Sequence, residues 1–234
     1  MSTAPGTVLL SGIVGSTAYG LAHAGSDLDR LGLFAAPTEG LHGLHRPAES
    51  HVTTAPDRTL HEAAKWCRLA LACNPTASEL VWLPDDLYEV RTPLGEELIA
   101  IRRSFLGARA VRDAYLGYAT QQFRKLRTRD TADPATRARA AKHARHLVRL
   151  LDQAVHLHEA GHNLVRLPDP ERVRELGERI ADAPDRAERL LAAAAERLDR
   201  PGVLPDRPDE RPADAWLRRV RAAHWAHRPP DAGA

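Results

Sequence analysis

The chain of 234 residues predicts an α+β protein: a small mixed β-sheet unit followed by an α-helical C-terminal region. Three observations carry that expectation. Residues 7–14 (TVLLSGIV) are apolar and rich in branched side chains, the pattern of a buried strand. Residues 27–34 (DLDRLGLF) alternate at first and then turn apolar, which reads as a second strand. From Pro93 onward, apolar residues recur at helical spacing almost to the C-terminus. The expected division is an α/β unit over residues 1–92 and a helical region over residues 93–234.

The elements follow in order. The opening MSTAPGTVLLSGIV has no basic stretch and its apolar run is short, so it is read as a strand and not as a signal peptide. GSTAYG (residues 15–20) is punctuated by glycines, and Ser16 is a natural N-cap for a short helix from Thr17. In the strand that follows, Asp27 and Asp29 face one side while Leu28 faces the core. Residues 36–56, rich in Pro, Gly, His and Thr, predict a loop with a short strand at 51–54. Residues 57–61 (DRTLH) form a third short strand, and 62–72 (EAAKWCRLALA) a helix that Asn74-Pro75 stops. Thr76 then caps ASELVWL, which ends at Pro84. Helices are expected at 94–106, 108–128, 134–160, 170–180, 184–199 and 212–226, with breaks at Gly107, TRDTADP, residues 161–170 and Ala183-Pro184.

Composition excludes several classes. No run approaches the ~20 apolar residues of a membrane span. Two cysteines, Cys67 and Cys73, cannot make a disulfide scaffold or a four-cysteine zinc site. Both fall in a helical stretch and read as core thiols, so a reducing cytoplasm is the expected setting. Net charge is −6 over residues 1–100, +10 over 101–151 and −2 over 152–234. An acidic first part beside a basic segment suits a cation site next to a polyanion site. Only three of the 33 basic residues are lysine, and an arginine bias of that kind also follows from a GC-rich genome.

The chemistry concentrates in residues 15–34, GSTAYGLAHAGSDLDRLGLF. Two carboxylates side by side repel unless a cation compensates, and Mg²⁺ favours carboxylate together with phosphate oxygens. Upstream, a strand running into Gly15-Ser16 and a helix start offers N–H groups and a hydroxyl to an anion. Downstream, Lys142, Arg145, His146, Arg149 and Gln153 share one side of a helix.

The pattern of Gly-Ser, Tyr-Gly and Ser-Asp-x-Asp with a following glycine resembles the DNA polymerase β-like nucleotidyltransferase superfamily. More narrowly, it is similar to predicted nucleotidyltransferases found beside RNA ligases. DRTLHEAAKWCRLALACNPTASELVWLP, KHARHLVRLLDQA and LPDRPD extend the likeness over most of residues 7–225. The resemblance implies a catalytic domain over residues 1–92 that transfers a nucleoside monophosphate from a nucleoside triphosphate to an acceptor hydroxyl, releasing pyrophosphate. It implies Mg²⁺ (or Mn²⁺) held by three carboxylates. Asp27 and Asp29 match the Asp-x-Asp pair, and Gly15 and Ser16 match the turn that holds phosphates. Asp57 is the chosen third carboxylate and candidate base, with Glu62 as the fallback; few branched apolar residues follow Asp57, a departure from the commonest pattern. Lys142, His146 and Arg149 are the candidates for nucleotide or acceptor contact. The acceptor could be an RNA end, a small molecule such as an aminoglycoside, or a protein hydroxyl.

Two other classes compete. A non-catalytic nucleotide- or RNA-binding module would keep the fold without pyrophosphate release. A zinc peptidase is suggested by His158-Glu159-Ala160-Gly161-His162, a match to H-E-x-x-H. Gly161 argues against it, because it belongs at a helix C-terminus and would break the single helix that the motif needs. Tyr19 could stack on a base, but packing behind the loop is the favoured reading; Trp66, Trp82 and Trp216 read as core. Asn74 and Glu79 fall in the Asn-Pro segment that resembles the family; apart from that resemblance they read as a helix C-cap and a surface carboxylate.

Overall fold

A computed structural model describes residues 6–127 and 133–225. Among the described residues, five strands form one mixed sheet: β1 (Thr7–Ile13), β2 (Arg30–Ala35), β3 (Ser50–Thr54), β4 (Asp57–Glu62) and β5 (Tyr88–Arg91), in the order β3-β4-β2-β1-β5. Only β2 and β4 run parallel, with Arg30 opposite Arg58 and Phe34 opposite Glu62. The helices among the described residues are α1 (Gly15–Tyr19), α2 (Ala63–Leu71), α3 (Pro75–Ser78), α4 (Pro93–Ala100), α5 (Ala108–Arg127), α6 (Pro134–Ala160), α7 (Pro170–Asp182), α8 (Asp185–Leu198) and α9 (Glu210–Ala223). The expected α+β architecture is therefore present. The starts and ends expected at residues 1–5, 128–132 and 226 lie outside the described residues.

Local chemistry explains the boundaries. Helix α6 begins where the Asp133 carboxylate accepts from Thr136 N–H, with Pro134 in the first turn, and stops at Gly161, whose φ of 71° suits a residue without Cβ. Asn74, and not Thr76, caps α3: its Oδ1 accepts from Ala77 N–H and its Nδ2 donates to the Tyr118 hydroxyl. Pro75 has no N–H to satisfy, so the cap falls one residue before it. The ASELVWL run is not one helix but α3 followed by a 3₁₀ turn at Glu79–Trp82. Strand β5 is unexpected. It adds four residues beside β1, pairing Val90 with Ser11.

One hydrophobic cluster runs from Leu9 to Val220 and joins the sheet to the helical region. Trp66 and Trp216 lie wholly inside it. The Trp66 indole donates to the Ala77 carbonyl and the Trp216 indole to the Leu94 carbonyl, so each buried N–H has an acceptor. Trp82 is partly buried, with the Arg102 guanidinium 4.6 Å from its ring centroid. Cys67 and Cys73 are free and buried, and burial pushes their thiols up to about 12 and about 11. Among the described residues, no helix is long and apolar enough to cross a membrane.

Candidate active site

The site forms at the end of the sheet where β1 leaves and where β2 and β4 begin. Val14 N–H donates to the Asp29 carbonyl at 3.0 Å, which folds the turn after β1 against the approach to β2. Gly15 takes φ of 70°, and a Cβ there would collide with the Asp29 carboxylate. The glycine is needed on both counts. Helix α1 starts at Gly15, two residues earlier than expected, so Val14 takes the cap position and Ser16 falls inside the first turn without a capping bond. The Ser16 residue instead lines a cleft of about 310 Å³.

Asp27 and Asp29 line the same cleft. They do so from irregular backbone, because β2 begins only at Arg30. His23 and Ser26 close a small turn ahead of them, with Gly25 at φ of 91°. Leu28 consequently meets solvent and not the core, at 37% exposure, which corrects the expectation for that side chain. The parallel register puts Asp29 and Asp57 one residue before the Arg30–Arg58 pair, at the same end of neighbouring strands. Burial raises the Asp29 carboxyl above its usual range, and repulsion from Asp57 and then Asp27 adds to the rise, while Lys142 opposes it. Asp57 itself is exposed and stands outside the cleft lining.

Glu62 is placed elsewhere. It lies five residues along β4, is 3% exposed, and accepts from Ala64 N–H as the cap of α2. Its other oxygen accepts from Arg221 Nη1 at 2.6 Å on α9. Both oxygens are thus committed to structure, at the far end of the strand from Asp29.

The opposite wall comes from α6. Lys142, Arg145, His146 and Arg149 line the cleft, as their spacing predicts. Gln153 does not; it is buried and accepts from Arg149 Nη1 at 2.7 Å. Arg145 is partly engaged by Glu178 at 3.3 Å. Lys142 is exposed and, among the described residues, has no salt bridge. Burial and then the cations Arg149, Lys142 and Arg145 lower His146 to about 3, so its imidazole is neutral at pH 7.

Sequence reasoning missed Glu79 at this site. It is 1% exposed and not a surface carboxylate, and its Oε2 accepts from the Tyr19 hydroxyl at 2.6 Å. A glutamate five residues before Pro84 gives no signal of burial; only its partner, 60 residues away, reveals it. Tyr19 packs as expected, with 5% exposure. The His-Glu-x-x-His match separates. His158 is buried and its Nε2 meets the Arg200 carbonyl at 2.8 Å, while His162 lies beyond the helix end and its Nε2 meets Nε2 of His156. Trp225 is half exposed beside His42 and is not part of the cleft lining.

What the arrangement can do follows from its charges. One wall carries carboxylates that repel one another; the facing wall carries cations. Among the described residues, the side chains of Asp27, Asp29 and Asp57 have no salt bridge or hydrogen bond, and no three His, Cys, Asp or Glu side chains stand together so as to hold a metal ion. The donor set is all oxygen and its members are mutually repelled, which fits a hard divalent cation such as Mg²⁺ or Mn²⁺.

Compared with protein-family models, residues 2–201 match the one described as the RNA repair pathway DNA polymerase beta family. No curated protein matches the chain.

Proposed function

The chain belongs to the RNA repair pathway DNA polymerase beta family, and on that premise we propose that it is a metal-dependent nucleotidyltransferase acting on an RNA end. Membership supports nucleotidyltransferase chemistry broadly. The finer reading rests on one observation above all: a single cleft with Asp27 and Asp29 on one wall and Lys142, Arg145 and Arg149 on the other. We take residues 1–92 as the catalytic domain and residues 93–234 as the helical region that completes the cleft. Two free buried cysteines suit a reducing cytoplasm.

In this reading the α6 wall binds the triphosphate by charge, and the turn at Gly15 and Ser16 offers it N–H groups and a hydroxyl. The neutral His146 imidazole can donate or accept a hydrogen bond with an uncharged group of the nucleotide. Asp27, Asp29 and Asp57 would hold Mg²⁺ (or Mn²⁺), which when bound supplies charge neutralisation at the reacting phosphate. The acceptor oxygen bonds to the α-phosphorus, the bond to the β-phosphate breaks, and pyrophosphate leaves. Asp57, which is exposed, takes the acceptor proton. Positioning and neutralisation do most of the work in phosphoryl chemistry of this kind.

Calorimetric titration with ATP, GTP, CTP and UTP in Mg²⁺ tests the reading. At least one should bind, with loss of about tenfold or more in Asp27→Ala and Asp29→Ala. Binding of none, or binding indifferent to both substitutions, overturns it. Labelled transfer to RNA, to a metabolite extract and to protein then identifies the acceptor. The exposed position of Asp57 favours one second reading, a nucleotide-binding module of the same fold without catalysis. It requires binding without pyrophosphate release.

A further inference from the structure

Behind the cleft lies a buried polar chain that ties the cleft-lining Arg149 to residues the proposed reaction leaves without a role. Tyr19 on α1 donates its hydroxyl to Glu79 at 2.6 Å. The Arg149 guanidinium of α6 lies over the same ring, 4.1 Å from its centroid. Arg149 Nη1 donates to Gln153 Oε1, and Gln153 Nε2 donates in turn to the Leu164 carbonyl at 3.1 Å. All four of Tyr19, Glu79, Arg149 and Gln153 are at least nine-tenths buried.

Arg149 is not fully satisfied by these contacts. It is 6% exposed, its Nε–H has no partner, and among the described residues it has no salt bridge. A buried guanidinium with a donor left over is costly, and folds seldom keep one without a use for it. It also lines the cleft that faces Asp27 and Asp29. Its orientation is fixed from two sides: Gln153 holds one nitrogen and the Tyr19 ring supports the plane. Tyr19 is fixed in its turn by Glu79, so that α1, which carries Gly15 and Ser16, and α6 meet through one side-chain stack.

We propose that Glu79 is a positioning residue: by holding the Tyr19 hydroxyl it sets the Arg149 guanidinium against α1 with donors free for a polyphosphate in the cleft. This rests on reading the cleft as a nucleoside triphosphate site. Burial pushes the Glu79 carboxyl up to about 7 and Arg149 opposes that rise, in keeping with a charge pair that acts across the tyrosine ring.

The test uses the full chain, with inorganic tripolyphosphate as the titrant in a calorimeter. Tyr19→Phe and Glu79→Ala should each weaken binding about tenfold, the scale of one hydrogen bond to a charged group. Glu79→Gln keeps an acceptor for the tyrosine and should lose no more than about threefold. In an Arg149→Ala background, Tyr19→Phe should have no further effect on binding, which a merely structural role would not predict. Where Glu79→Ala fails to fold, Tyr19→Phe carries the test, because it removes a single oxygen. Undiminished affinity in Tyr19→Phe, an equal loss with or without Arg149, or no binding by the wild-type chain overturns the proposal. Nucleotide transfer is assayed in the same samples. Tripolyphosphate losses as expected without any transfer sink the proposed reaction and keep the positioning role; transfer without those losses does the reverse.

Discussion

Asp29 shows how a proposed site residue works against the fold that holds it. Its carboxyl is raised by burial and by two acidic neighbours, so the ionised form is disfavoured in the metal-free protein. As pH rises through that elevated value, the folded chain gives up a proton that it holds better than the unfolded chain does, and stability falls. Asp29→Asn removes the repulsion. In the metal-free chain it should raise Tm by about 1–2 °C, after allowance for solvent screening, while abolishing nucleotide transfer; a fall in Tm would contradict the electrostatic account. Glu79 follows the same sign over a different window. Its value of about 7 lies above the ordinary 4.5, so its contribution to stability declines as pH rises from about 5 to about 7.5. Wild-type Tm should fall relative to Glu79→Gln across that range, and parallel curves would show that the group does not titrate there. Asp27, Asp29, Gly15 and Ser16 were legible because local order places them together. Glu79 was not, because burial of a polar residue is decided by what packs on it from elsewhere in the chain.

At the scale of elements, periodicity was a good guide wherever a helix had its own caps. The expected span 134–160 agrees with α6, since Asp133, Pro134 and Gly161 mark both ends in the sequence itself. Strand β5 was illegible for the opposite reason: four residues, two of them charged, become a strand only because β1 offers an open edge. Helix α9 belongs with the legible elements, and its tryptophan tests how it docks. Trp216 is fully buried and its indole donates to Leu94 O at 2.8 Å. Trp216→Ala should cost about 3–5 kcal/mol, seen as a fall in Tm on the order of 10 °C. The same loosening should release Arg221 from Glu62, which lies beside α2. A shift below a degree or two would mean that α9 contributes little to the core.

For the whole molecule, the division at residue 92 read from the onset of helical spacing coexists with one continuous core from Leu9 to Val220. The calorimetric expectation is a single transition on heating, with calorimetric and van't Hoff enthalpies equal; two resolved transitions would mean that the sheet unit and the helices fold apart. The charge split also gains a geometry. The basic segment supplies the α6 wall, and the acidic segment supplies the carboxylates facing it. Many of the other arginines are spent on surface pairs such as Arg137 with Asp182 and Arg197 with Glu159, so a count of arginines overstates the field on a polyanion. The two walls are also far apart in the chain: Ser16 precedes Arg149 by 133 positions. At about 5–20 residues per second, a ribosome takes on the order of ten seconds to pass from one to the other. During that interval the nascent chain carries the acidic wall alone, which repels triphosphates. On the proposed reading of the cleft, the protein becomes able to hold a nucleotide only late in its own synthesis, once α6 has emerged and folded back, and a truncated product ending before residue 142 is expected to leave the cell's nucleotide pool untouched.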